Sequence, residues 1–203
     1  QYGTTDGRLG TKEVICDLMR DIGVRCKPDQ VLITSGAQEA LDLLGKVFID
    51  EGDIVLTEGP TYLTALQAFS TYEPDVRTIP FDDQGMRMDL LEEELERIGK
   101  GNPRLKFLYT IPNFQNPGGV TMTADRRKRL LELAAEYNFI VVEDDPYGRL
   151  RYEGGHQIPL KAQDDRVVYL GTMSKIFASG LRVGWVVAPR SIISRINLVK
   201  QGS

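Results

Sequence analysis

Histidine is almost missing from this 203-residue chain: His156 stands alone. Its setting, Glu153-Gly154-Gly155-His156, reads as an exposed loop, so no Ser–His–Asp triad can be argued from it. Cysteine is scarce too. Cys16 and Cys26 are too few for a disulfide framework or a metal site and read as reduced thiols of a cytoplasmic protein. Basic residues are in deficit: 25 Lys and Arg against 29 Asp and Glu give a net charge of −4, with no electrostatic reason for this segment to bind nucleic acid. No apolar run approaches the ~20 residues of a membrane-spanning helix. The opening Gln1-Tyr2-Gly3-Thr4-Thr5-Asp6 is polar and turn-like, unlike a secretory signal. Gly3, Gly7 and Gly10 follow no expected strand and make no dinucleotide fingerprint. Repeats, low-complexity tracts and linkers are lacking, and so is an initiator Met; the chain reads as a fragment.

What is present is the balance of a globular protein with a core: 41% hydrophobic and 27% charged residues, at the size of one α/β domain. Strands are expected at Val31–Thr34, Ile54–Glu58, Val76–Pro80, Lys106–Ile111, Phe139–Asp144, Val167–Gly171 and Gly184–Ala188. The runs Phe139-Ile140-Val141-Val142 and Val167-Val168-Tyr169-Leu170 are continuous rather than alternating, which suits strands covered on both faces. Helical patterns lie between them at Thr11–Ile22, Ala37–Ile49, Thr61–Thr71, Asp89–Ile98, Ala124–Tyr137 and Ser191–Lys200. Thr123 suits an N-cap; Leu130, Leu133, Ala134 and Tyr137 share one face of the helix that follows, with Arg126, Arg127 and Arg129 opening its polar side. Glu92, Glu93, Glu94 and Glu96 read as a solvated helix face. The alternation of strand and helix predicts a three-layer α/β/α domain with a mainly parallel sheet.

Ligands of such sheets sit beyond the carboxyl ends of the strands. Four segments there can carry chemistry. Thr34-Ser35-Gly36-Ala37-Gln38 turns a strand into a helix through small residues, whose amides favour a phosphate, although Ser35 alone suits a plain N-cap. Asp144 ends a buried strand, where a carboxylate needs a partner; it either caps the next turn or meets a protonated pyridine nitrogen. Glu143 and Asp145 flank it, and Asp144 is singled out by its spacing to Tyr147. Thr172-Met173-Ser174-Lys175 follows another strand. Such a lysine is either solvated or, when shielded, able to form a Schiff base. Arg182 returns a cation to the same end of the sheet, as a phosphate monoester requires. Pro112-Asn113-Phe114-Gln115-Asn116-Pro117-Gly118-Gly119 is a tight loop, either a simple connection or a means of aiming the Asn116 amide at an aromatic hydroxyl.

Together, Ser35-Gly36-Ala37-Gln38, Gly59-Pro60-Thr61-Tyr62, Asn116-Pro117-Gly118-Gly119, Asp144-Asp145-Pro146-Tyr147, Ser174-Lys175 and Arg182 resemble the fold-type-I pyridoxal-phosphate-dependent aminotransferases of class I/II. The resemblance spans essentially the whole chain and is greatest to the 2-aminoadipate (LysN-type) and kynurenine aminotransferase branch. It implies pyridoxal 5'-phosphate held covalently by Lys175, with Asp144 on the ring nitrogen and Asn116 and Tyr147 on the ring 3-oxygen. Tyr62 would stack on the ring, and Gly36, Ala37, Gln38, Thr172, Ser174 and Arg182 would hold the phosphate. Tyr2 would reach the phosphate of a neighbouring subunit, implying a homodimer with shared active sites. Residues 1–203 would be the cofactor-binding large domain, without the N-terminal arm or the C-terminal small domain that carries the family's carboxylate-binding arginine. The family's Asn-Pro-Thr-Gly is Asn-Pro-Gly-Gly here, with the asparagine kept. The implied reaction passes an amino group from an aromatic or 2-aminoadipate-like amino acid to a 2-oxo acid such as 2-oxoglutarate, by a ping-pong route. The same motifs also occur in the effector domains of MocR-type transcription regulators and in β-lyases of this fold.

Overall fold

The continuous apolar runs become the interior strands of one mixed sheet. The computed structural model describes residues 4–148, 157–173 and 182–202. The strands are β1 (Val31–Thr34), β2 (Ile54–Gly59), β3 (Asp75–Asp82), β4 (Gly85–Met86), β5 (Leu105–Thr110), β6 (Ile140–Asp144), β7 (Val168–Thr172) and β8 (Gly184–Val187). The helices are α1 (Leu9–Asp21), α2 (Ala37–Phe48), α3 (Leu63–Ser70), α4 (Met88–Ile98), α5 (Ala124–Tyr137), α6 (Leu160–Gln163) and α7 (Arg190–Gln201). In space the strand order is β1-β8-β7-β6-β5-β2-β3-β4. The run β7-β6-β5-β2-β3 is parallel, β8 is antiparallel to both its neighbours, and β4 pairs antiparallel with β3.

Successive strand residues face opposite ways, and the core divides accordingly. Val55, Phe107 and Val142 pack against Leu41 and Leu44 of α2, Phe69 of α3 and Ile196 of α7. Leu56, Leu108 and Val141 turn the other way, onto Leu91 and Leu95 of α4 and Leu130 and Leu133 of α5. Helix α1 adds Ile15 and Met19 over Val31, Tyr169, Trp185 and Val187. The sheet is thus covered on both faces, as the continuous runs require. The expected three-layer α/β/α architecture with a mainly parallel sheet is present. Among the described residues no helix is long and apolar enough to cross a membrane.

Two elements have no counterpart in the sequence reading, β4 and α6, of two and four residues; both are too short to leave a periodic signature. Thr123 does occupy the N-cap position of α5 but makes no side-chain capping bond. Glu92 and Glu94 pair with Arg129 and Arg77 across neighbouring elements. Arg127 corrects the expectation of a polar-side residue. It is 1% exposed, because it lies three residues before Leu130, on the apolar face of α5. Its guanidinium donates to the carbonyls of Met122 and Pro112, both at 2.9 Å, and to Asn113 Oδ1 at 2.8 Å. A buried charge persists only when its donors are met in this way.

Arg127→Met keeps much of the volume but leaves these acceptors without donors. It should cost on the order of 3 kcal/mol of stability. An unchanged denaturant midpoint would show that the buried guanidinium is dispensable.

Candidate active site

The site forms where strand ends give way to loops. At the end of β1, the chain turns through Gly36 at φ +96°, and Gly36, not Ser35, is the N-cap of α2. Ser35 lies one residue before the N-cap, and its amide donates to the Glu39 carboxylate. Among the described residues no side chain caps α2, and first-turn amides have no intrahelical acceptor. The turn is fixed from two sides. Thr34 Oγ1 donates to the Gly36 carbonyl at 2.9 Å. Gly184 of β8 lies so close that a Cβ there would come 2.7 Å from the Gly36 carbonyl carbon.

Asp144 closes β6 and is 3% exposed. The Tyr109 hydroxyl, from β5, donates to its Oδ2 at 2.6 Å. Burial pushes the Asp144 carboxyl up to about 7, against that hydrogen bond. Its neighbours have other duties. Glu143 accepts the backbone N–H groups of Leu160 and Lys161 at 2.9 and 2.8 Å, which caps α6. Asp145 accepts from Asn113 Nδ2 at 3.0 Å and from the Tyr169 hydroxyl at 3.1 Å. Of the three consecutive carboxylates, Asp144 is the one that lines a cavity.

Two residues brace the loops around it. Glu58, at the end of β2, accepts from Thr110 Oγ1 at 2.6 Å and from the Ile111 amide at 3.1 Å. Gln115 donates to the Pro60 carbonyl at 2.8 Å and accepts the Gly118 amide at 2.7 Å. The Tyr62 loop and the Asn116 loop are therefore tied to each other and to the sheet.

The cavity these elements enclose measures about 330 Å³. Gly36, Ala37 and Gln38 line it from the start of α2, and Tyr62 from the start of α3. Asn116, Asp144 and Tyr147 line it from the loops after β5 and β6, and Thr172 and Arg182 from the β7–β8 side. Every described residue of the expected site is on this wall. Ser174, Lys175 and Tyr2, like His156, lie outside the described residues. Ile111 and Pro146 also line the cavity, and Tyr109 and Glu58 stand behind it; the sequence reading missed all four. Ile111 and Tyr109 read only as strand core, and nothing in their spacing marked them. An adjoining hollow of about 320 Å³ shares Asn116 and Tyr147 and adds Phe114 and Pro117. Among the described residues no group of three or more His, Cys, Asp or Glu could hold a metal ion.

A helix start and an arginine favour an anion, while the buried carboxylate favours a cation. The cavity thus suits a small molecule that carries both. The family model described as aminotransferase class I and II matches residues 1–203. The chain belongs to the class I and II aminotransferase family. This aminotransferase-family chain is 52% identical to aromatic-amino-acid aminotransferase 1 of Thermococcus litoralis over 99% of its own length and 49% of that protein's. It is 41% identical to the 2-aminoadipate transaminase of Thermus thermophilus, over 100% of this chain and 50% of the relative. The crystal structure of Pyrococcus horikoshii kynurenine aminotransferase, in complex with PMP, superposes with a TM-score of 0.94 at 52% identity, covering 100% of this chain and 50% of that one. The HTH-type transcriptional regulator YisV of Bacillus subtilis is 34% identical over 98% of this chain and 40% of its own length. The chain spans about half the length of the curated aminotransferases it matches.

Burial also pushes Glu58 up to about 7 from an ordinary 4.5. The folded chain therefore keeps this proton between those two values, where the unfolded chain releases it. The stability so contributed is complete below about 4.5 and is lost as pH rises towards 7. Glu58→Gln should flatten that part of the stability–pH curve of the cofactor-free protein. Parallel curves for wild type and variant, from denaturation at pH 5, 6 and 7, would contradict the assignment.

Proposed function

We propose that the whole protein is a pyridoxal-phosphate-dependent aminotransferase and that residues 1–203 are its cofactor-binding large domain. The observation that carries this reading is that one cavity is lined by both the start of α2, which no described side chain caps, and the buried carboxylate of Asp144. Pyridoxal 5'-phosphate has the matching chemistry, a phosphate dianion and a basic ring nitrogen on one small molecule, so the donor set fits it.

Gly36, Ala37, Gln38, Thr172, Ser174 and Arg182 would hold the phosphate, with Tyr2 reaching in from a second subunit of a homodimer. Tyr62 would cover the ring face, and Asn116 and Tyr147 would donate to or share a proton with the ring 3-oxygen. Lys175 would anchor the cofactor. When bound, the cofactor acts as an electron sink for negative charge on the substrate's α-carbon. Asp144 serves that chemistry as an anion that keeps the ring nitrogen protonated, since a buried carboxylate ionises readily only beside a cation. Once substrate displaces it from the cofactor, Lys175 Nζ would take the proton from the substrate α-carbon and pass it to the cofactor carbon C4′, as amino transfer requires. Asn116 and Tyr147 hold the ring in register for that transfer, and the doubly tied loops that carry Tyr62 and Asn116 keep the site stiff.

The donor is an aromatic or 2-aminoadipate-like amino acid and the acceptor a 2-oxo acid such as 2-oxoglutarate, in a ping-pong sequence within the cytoplasm. The names of the relatives support this choice, and so does the hollow beside the cavity, where Phe114 and Pro117 offer apolar surface to a large side chain. A second reading, an aminotransferase-like effector domain of a transcription regulator, draws on the likeness to YisV. Amino transfer from any donor in a screen would decide against it; ligand-dependent DNA binding without turnover would decide for it. A β-lyase would instead release ammonia with a 2-oxo acid.

The full-length protein loaded with pyridoxal phosphate should keep its visible absorption after unbound cofactor is removed by gel filtration, and Lys175→Ala should lose it. A colourless wild type would end the cofactor reading. Asp144→Ala should slow single-turnover amino transfer by on the order of 10²-fold while weakening cofactor binding far less. Equal single-turnover rates would remove the ring-nitrogen role from Asp144.

A further inference from the structure

Tyr109 does not line the cavity, yet its hydroxyl makes the shortest described hydrogen bond to the group that matters most there, 2.6 Å to Asp144 Oδ2. We propose that Tyr109 is a positioning residue. Its hydroxyl holds one oxygen of Asp144 so that the other is left for the ring nitrogen, and it sets how firmly that carboxylate retains a proton. The proposal rests on the cofactor reading above and adds to it a residue outside the cavity wall.

Three observations carry it. The first is register. Tyr109 pairs with Val142 across β5 and β6, and Asp144, two residues further on, shares the face of Val142. The strands themselves bring phenol and carboxylate together. The second is rigidity. Tyr109 is fully buried, and its ring meets Phe69 edge-on at 5.7 Å, with Phe69 in turn edge-on to Phe107 at 5.2 Å. A ring so packed cannot swing its hydroxyl elsewhere, and a fixed donor fixes its acceptor.

The third is electrostatic. Asp144 faces Asp145 beside it in the chain, and Glu58 of β2 couples to it and to Tyr109. Tyr62, Tyr147 and the Arg182 cation share the cavity wall with it. Burial and the two carboxylates hold the Tyr109 phenol well above its ordinary value, so it stays a donor throughout the working range. Among the described residues it is the one group whose hydrogen bond favours the ionised form of Asp144. Against burial and the two neighbouring carboxylates, that donor keeps Asp144 within reach of ionisation.

The test uses the full-length protein carrying ¹³C-carboxyl aspartate, with cofactor removed and then restored; Asp144→Asn assigns the resonance. In the cofactor-free protein, Tyr109→Phe keeps the ring and removes the donor, and should raise the proton affinity of Asp144 about tenfold, roughly one pH unit. Placing 3-fluorotyrosine at position 109 makes a stronger donor and should move the midpoint the opposite way. Tyr72→Phe, which removes an exposed hydroxyl bonded to Asp42, should leave it in place. Opposite shifts from the two substitutions at 109 support the proposal. An unmoved midpoint, or the same shift from Tyr72→Phe, overturns it. Restoring pyridoxal phosphate to the wild type should drive the Asp144 midpoint down by several units. If it does not, the cofactor reading fails, whatever the substitutions at 109 have done.

Discussion

A carboxylate sealed at the end of a doubly covered strand is the constraint around which this protein is arranged. Asp144 sits between layers of helices, out of reach of bulk water, and burial there disfavours its charge. Three other carboxylates lie buried at the same end of the sheet. Glu58 and Glu143 are met by backbone amides, and Asp145 by an asparagine and a tyrosine. Asp144 alone opens on the cavity, with a single phenol as its hydrogen-bond donor among the described residues. Satisfied acid groups hold the fold, and the under-satisfied one faces the cavity, where the proposed cofactor would bring its own cation.

The neighbouring acids are therefore part of the site without touching its contents. Glu58 joins the ends of β2 and β5, so the loops that deliver Tyr62 and Asn116 start from a common anchor. Glu143, on the other side of β6, caps α6 and holds the strand that carries Asp144 against the next segment. Arg127 reaches the same region from α5 and ties Pro112 and Asn113 down, and Asn113 passes that hold to Asp145. A chain of charge-assisted hydrogen bonds thus runs from a helix to the loop bases. Such pre-set positioning is what lets a site discriminate and react without first reorganising.

How much of this the amino-acid string disclosed depended on the range over which each feature is encoded. The strands β6 and β7 were legible because their apolar runs are local and unbroken. The cavity wall was legible because small residues, Asp144 and Tyr147 follow those strands in a recognisable order. Arg127 was misread because charge was weighed above position; its three-residue spacing to Leu130 already put it on the buried face. Ser35 was misplaced as the N-cap because the helix begins one residue later, at a positive φ that suits Gly36. Tyr109 was invisible for a different reason. Its meaning lies in a cross-strand register with β6, and no window along β5 contains that partner.

The glycine at 184 shows how far such pairings extend. It belongs to β8, antiparallel to both β1 and β7, and faces Thr34 across the sheet. Any side chain there would strike the Gly36 backbone and push the start of α2 away from the cavity. The absence of one atom in β8 thus lets a helix terminus stand beside Thr172 and Arg182, which come from the same hairpin-like pair β7–β8. Antiparallel β8 does more than close a gap in a parallel sheet. It brings the first helical turn and the returning arginine to one cavity wall, where the proposed phosphate would be met by a dipole and a charge from different parts of the chain.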